Sequence, residues 1–246
     1  MSRTPRAARR LAVAAAVLSV AGVTACGSDG TDSDVAAGDP TDAYRVIAGL
    51  HESSTDDLQP RNLAQALPNR QVTVRTDGGG DLVNTFSDLV VTGPITSVTP
   101  DEGIFYPNAT AKADQEAGAK AVGFDNPDAQ ERVALVTMQV DWSAGDKVGP
   151  TLQFRIGVPL DIDANEFLAG VRGIDDAVVL LKQFSDGRYE GDYYPILDFA
   201  GLGSVGDDGG LAFEGLGEDE STFLAEVSTL DALKVEASKP DTKVRF

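Results

Sequence analysis

Residues 131–160 read ERVALVTMQVDWSAGDKVGPTLQFRIGVPL. From Thr151 onward the pattern alternates strictly. Leu152, Phe154, Ile156, Val158 and Leu160 fall on one side, and Thr151, Gln153, Arg155, Gly157 and Pro159 on the other. Successive side chains of a strand point to opposite faces, so a period of two predicts a half-buried antiparallel strand. In the first half, Ala134, Val136, Met138, Val140 and Trp142 share one face. The other face starts apolar at Val133 and Leu135 and turns polar at Thr137, Gln139 and Asp141. SAGDKVGP (143–150) between the runs is turn-rich, so the two are expected to pair as a hairpin.

Further strands are expected at QVTVRT (71–76), DLVVTGPITSV (88–98, interrupted at Gly93-Pro94), AVVLLKQF (177–184), YYPILDF (193–199), GLAFEG (210–215) and KVRF (243–246). Pro94 and Pro195 suggest bulges or edge positions. TDGGGD, SDGRY and GDDGG between runs carry turn chemistry. Short helices are expected at TDAYRVIAGLHES (41–53), NLAQAL (62–67), DANEFLAGV (163–171) and STLDALKVEAS (228–238). The last has Ser228 and Asp231 in capping-box spacing. Irregular loop is the alternative for each. Many short strands separated by turns place the chain in the mainly β class, an antiparallel barrel or sandwich with a few short helices. The order DLVVTGPITSV, then ERVALVTMQVDW, resembles small OB-like barrels in secreted proteins of high-GC Gram-positive bacteria. That resemblance covers about residues 86–184 and implies a fold, with no defined activity.

The N-terminus carries Arg3, Arg6, Arg9 and Arg10 and no acid, then an uncharged run, LAVAAAVLSVAGV (11–23). Such a run is too short for a membrane span, which needs about 20 residues, and fits the core of a secretory signal. Both general and twin-arginine export remain open. Val23-Thr24-Ala25-Cys26 resembles the lipobox of bacterial lipoproteins: an aliphatic residue, two small residues and a cysteine. The resemblance implies a diacylglyceryl group on the Cys26 thiol and cleavage just before it. A plain secretory signal followed by a chance cysteine is the alternative. Two acyl chains give lasting attachment where one is marginal. Residues 27–42, GSDGTDSDVAAGDPTD, hold almost no large apolar side chain and are expected to be a flexible tether. The expected organisation is therefore a signal peptide (1–25), a lipidated cysteine with an acidic linker (26–42) and one β-rich extracytoplasmic domain (43–246).

Loss of residues 1–25 would leave 16 Lys+Arg against 39 Asp+Glu, a formal charge of −23. No basic cluster follows residue 10, which argues against nucleic acid as a partner. Anionic headgroups would repel such a surface, leaving attachment to the lipid. Cys26 is the sole cysteine, so intramolecular disulfides and cysteine-ligated metals are excluded. His51 is the sole histidine, and HESST (51–55) lacks the second histidine of a zinc hydrolase motif. GLGSVG (201–206) matches a dinucleotide-binding fingerprint, but DDGG follows where a helix is required. It is expected to be a glycine-rich loop. DIDANE (161–166) spaces Asp161, Asp163 and Asn165 like the start of a calcium loop, without the glycine and glutamate an EF-hand needs. A calcium site of another kind at these three residues stays open, with GDDGG (206–210) a weaker candidate and a solvated turn the alternative for both. Tyr189, Tyr193 and Tyr194 cluster in GRYEGDYY (187–194), as a recognition surface or as cross-strand packing.

These readings point to a lipid-anchored module on the outer face of the cytoplasmic membrane. It would act by binding an envelope protein or a small ligand, or as a structural element, without catalysis and without a cofactor. A carboxylate-dependent hydrolase and a carrier or chaperone with an apolar pocket are the alternatives.

Overall fold

The computed structural model describes residues 60–75, 81–107, 119–185, 188–197 and 201–245. The elements are α1 (Leu63–Ala66), β1 (Arg70–Arg75), β2 (Asp81–Asn84), β3 (Leu89–Gly93), β4 (Ile95–Phe105), β5 (Lys120–Val122), β6 (Glu131–Gln139), β7 (Trp142–Gly145), β8 (Thr151–Val158) and α2 (Ala164–Arg172). There follow β9 (Ala177–Gln183), β10 (Tyr193–Pro195), β11 (Leu202–Val205), β12 (Leu211–Ala212), a 3-10 turn (Glu214–Asp219), α3 (Glu220–Phe223), α4 (Leu230–Ala237) and β13 (Thr242–Arg245). The chain is mainly β, in three sheets. Their strand orders are β13-β1-β2, β12-β11-β9-β3-β7 with β10 also on β9, and β5-β4-β6-β8. Every pair is antiparallel except β1 with β13. Among the described residues these sheets do not close into a barrel.

The predicted hairpin forms, with β6 and β8 in register from Arg132↔Val158 to Gln139↔Thr151. Its connector differs from expectation, because Ser143, Ala144 and Gly145, expected as turn, belong with Trp142 to strand β7. The cause lies in the neighbouring chain. One ladder pairs β4 with β6 in the outer sheet, from Ile104↔Glu131 to Ile95↔Met138. It continues in the central sheet as β3 with β7, from Thr92↔Trp142 to Leu89↔Gly145. Both chains bend together where they change sheets. Gly93 takes φ 144°, and a Cβ there would lie 2.2 Å from the Gln139 carbonyl oxygen. Only glycine suits that combination. Pro94 lies between the two strands, and its carbonyl accepts the Gln139 amide at 3.0 Å. The Asp141 amide reaches Thr92 O at 2.9 Å, so the ladder crosses the bend without a gap.

The bend moves Trp142 away from the face it was expected to share with Met138. Met138 belongs to the core between the outer and central sheets, whereas Trp142 packs at the edge of a second core. Leu152, Phe154, Ile156 and Val158 point inward as predicted. Leu160 does not: β8 ends at Val158, Pro159 follows, and Leu160 is 48 % exposed.

The central sheet is apolar on both faces, which explains the unbroken run AVVLL in β9. Leu89, Val91, Val179 and Leu181 meet Val136, Met138, Phe154 and Ile156 of the outer sheet and Phe167, Leu168 and Val171 of α2. Val90, Val178 and Leu180 face the other way, in a cluster with Leu63, Leu67, Phe213, Phe223 and Leu233. Each such side chain contributes roughly 1.5–3 kcal/mol through burial.

Helix starts follow local capping. Asn62 caps α1 by accepting the Gln65 amide at 2.9 Å, and Asp163 caps α2 by accepting Glu166 N at 3.0 Å. In α4 the cap is Thr229, one residue later than expected, with its hydroxyl on Ala232 N at 3.2 Å. Ser228 lies outside the helix, because its carbonyl accepts the Leu211 amide of β12, while the Thr229 carbonyl accepts the Leu233 amide of the first helical turn. GLGSVG is also not the expected loop. Its Leu202–Val205 is strand β11, and the turn comes at Asp207-Asp208. YYPILDF shortens to β10, and GLAFEG to β12. The helix expected at 41–53 lies outside the described residues.

Candidate functional site

Among the described residues, a cluster of charged and aromatic side chains is built where the chain between β9 and β10 folds over the outer sheet. The connection is closed by backbone bonds from Phe184 N to Asp192 O at 2.9 Å, and from Gly191 N to Phe184 O at 3.0 Å. With β10 it presents three rings. Phe184 lies 5.7 Å from Tyr189 and 4.1 Å from Tyr194, centroid to centroid. The turn sets Arg188 and Tyr189 against Glu102 of β4. Glu102 accepts Arg188 Nε at 2.7 Å and Nη2 at 2.5 Å, and the Tyr189 hydroxyl at 2.7 Å. Arg155, outward on β8, donates Nε to Asp192 at 2.6 Å and pairs through Nη1 with Asp101. Its guanidinium lies 4.5 Å from the centre of the Tyr189 ring. A cation over a tyrosine face is attracted by the ring quadrupole, so this contact fixes both side chains.

These contacts set the charge states. Burial pushes the Glu102 carboxyl up, but hydrogen bonds from Arg188 and Tyr189 outweigh it, and the group sits below the ordinary carboxylate range. Burial and the bond to Glu102 push the Tyr189 phenol up. At neutral pH Glu102 is therefore an anion and Tyr189 a neutral donor. A general acid needs a carboxyl raised toward the working pH. Glu102 is shifted the opposite way and accepts three hydrogen bonds, so it is not placed to act as a general acid at neutral pH.

Tyr193 departs from this group. Its hydroxyl donates to Asp146 at 2.9 Å, and burial with that bond pushes its pKa up to about 12. Of the three clustered tyrosines, two pack tilted against Phe184 and the third ties β10 to the loop after β7. Asp163 spends its carboxylate on the α2 cap, while Asp161 and Asn165 are exposed to either side of it. Asp208 accepts the Gly210 amide at 2.8 Å within its turn. Among the described residues no group of three or more His, Cys, Asp or Glu is arranged to hold a metal ion. Val23, Thr24, Ala25, Cys26 and His51 lie outside the described residues.

Glu102, Asp101, Arg155 and Arg188 were not singled out from the sequence. One signal was present: Arg155 sits mid-strand between Gln153 and Gly157, where a cation on a half-covered face requires acidic partners. The pattern does not say which acids. Comparison with family models, with curated proteins and with solved structures gives no match. No helix among the described residues is long and apolar enough to cross a membrane.

Proposed function

We propose that the protein is a bacterial lipoprotein, held by a diacylglyceryl group on Cys26 at the extracytoplasmic face of the membrane. Its β-rich domain acts there as a non-enzymatic binding or structural module. The observation that carries the anchor is the order of parts in residues 1–26: four arginines, an uncharged run, then Val23-Thr24-Ala25-Cys26. Preference for binding over hydrolysis rests on Glu102, whose lowered pKa and three accepted hydrogen bonds disqualify it as a general acid. The ring and guanidinium face of Arg155, Tyr189 and Tyr194 is the surface we assign to a partner, since tyrosine and arginine are enriched among residues that dominate binding energy. The finer fold reading is an antiparallel barrel or sandwich of OB-like type. The shared ladder bent at Gly93-Pro94 supports it, because one pair of chains serves two sheets.

Replacing Cys26 with alanine and fractionating the cells tests the anchor. The parent should stay with membranes through high-salt washing and the variant should become soluble. A variant as firmly membrane-bound as the parent would overturn the assignment.

A further inference from the structure

Lys182 interrupts the apolar run of β9, on the same side of the strand as Val178 and Leu180. Its ammonium reaches four oxygens: Asp88 Oδ1 at 2.6 Å, Thr85 O at 3.0 Å, Thr85 Oγ1 at 3.2 Å and Asn84 Oδ1 at 3.2 Å. Asp88 is held in turn by the Thr85 hydroxyl at 3.1 Å and the Gln183 amide at 3.0 Å. The Asn84 carboxamide oxygen also accepts the Thr85 backbone N–H at 2.9 Å. An amine, a carboxamide, a carboxylate touching the amine and a backbone donor on the carboxamide oxygen thus meet in one place. Acyl transfer requires those four parts: nucleophile, acyl group, proton shuttle and oxyanion donor.

We propose that this cluster cross-links itself, joining Lys182 to Asn84 through an isopeptide bond. The Asp88 carboxylate takes a proton from the Lys182 ammonium, leaving a neutral amine beside the carboxamide. The Nζ lone pair attacks Asn84 Cγ, and the negative charge that develops on Oδ1 meets the Thr85 N–H. Asp88 returns that proton to the departing carboxamide nitrogen and takes the second proton from the attacking Nζ; this second proton leaves the site with the ammonia, as ammonium. The Cγ–Nδ2 bond breaks, ammonia leaves, and a Cγ–Nζ amide remains. The reaction needs no oxidant, reductant or co-reactant. Asn84 is exposed, so ammonia has a path to solvent. Lys182 and Asp88 are half-buried, with 19 % and 24 % of their side chains exposed, and sit in contact at 2.6 Å, so the carboxylate is placed to accept a proton from the amine. Fixed placement of both reactants supplies the proximity that such a slow aminolysis requires.

The bond would tie β2 to β9 across 98 residues of sequence. A covalent link over so long a loop restricts the unfolded chain as a disulfide does. This chain, with its single cysteine, cannot form an intramolecular disulfide.

Intact-mass measurement and tryptic mapping of the full chain, purified as the parent, as Asp88→Asn and as Asn84→Ala, test the proposal. Loss of ammonia lowers the mass by about 17 Da. The parent should run that much below the mass of its unlinked chain and yield a branched peptide joining Lys182 to residue 84. Asp88→Asn should keep the full mass with both peptides linear. Asn84→Ala, at an exposed position, keeps the test open should Asp88→Asn fail to fold, and should also show no loss. A parent at full mass with linear peptides would overturn the proposal. So would the same loss persisting in Asn84→Ala, since ammonia would then be leaving from another residue.

Discussion

Replacing Gly93 with alanine should destabilise the domain by about 4 kcal/mol, and the figure can be built from its parts. Gly93 holds φ 144°, a region that side chains rarely enter. Occupying it with a Cβ costs on the order of 1–3 kcal/mol. The new carbon would sit 2.2 Å from Gln139 O, where real Cβ contacts essentially never fall under 3.0 Å. The opposing backbone must therefore retreat by nearly an ångström. That retreat strains the two bonds that carry the ladder over the bend, Gln139 N to Pro94 O and Asp141 N to Thr92 O. Each is worth roughly 0.5–1.5 kcal/mol net. Against a total stability of about 5–15 kcal/mol, the loss is large but survivable.

For a domain of this size each kcal/mol moves Tm by roughly 2–4 °C, so a fall on the order of 10 °C is expected. Circular dichroism melts and urea midpoints measure it. Gly149→Ala is the control: its φ is not in the glycine-only region, and the nearest atom to an added Cβ is Thr151 O at 3.8 Å. That change should stay within about 0.5 kcal/mol. If Gly93→Ala melts with Gly149→Ala and the parent, the bend does not depend on this glycine, and the account of how one ladder serves two sheets is wrong.

Thr229→Ala should cost about 1 kcal/mol by removing the α4 cap, whereas Ser228→Ala should cost almost nothing by urea midpoint, because only the Ser228 backbone is engaged. Glu102 makes a pH prediction. Its folded pKa lies below its unfolded value, so its contribution is present above the unfolded pKa and lost as pH falls through the folded one. Glu102→Gln should therefore flatten the loss of stability as the pH falls below the ordinary carboxylate range, and an acid limb as steep as the parent's would refute that role.

Strand content was legible where one face met water. β8 alternates cleanly because its outward positions are Thr151, Gln153, Arg155 and Gly157, and its hairpin with β6 followed from that pattern. β9 was legible as a strand from five successive β-branched or apolar residues, but not as the centre of a sheet covered on both sides. That status depends on α1, α3 and α4 arriving from distant parts of the chain. β2, β5 and β11 escaped notice because they are short and polar or glycine-bearing: DLVN, KAV and LGSV carry no period of two. β7 was hidden for another reason. WSAG has turn composition, and it is extended only because β3 offers it a free edge beyond the bend.

The Glu102 site was illegible on principle. Its members come from β4, β8 and the β9–β10 connection, with Glu102 and Arg188 86 residues apart and Asp101 and Arg155 54 apart. Local spacing records helix faces and strand faces, so it cannot encode a meeting of three separate segments. What the sequence does contain is the requirement: Arg155 and Arg188 among few cations in an acidic chain must each find carboxylates, and several fit equally well. Only the fold chooses, by laying the turn that holds Tyr189 over β4 and β8. The same holds for Lys182. Its place in an apolar strand demands oxygens at the ammonium, and β2 with the segment to β3 supplies four of them. A buried cation that must be satisfied and a carboxamide set within reach of it arise from one packing decision. Thus the chemistry proposed at Lys182 stands or falls on the placement of Asn84, independently of the anchor at Cys26.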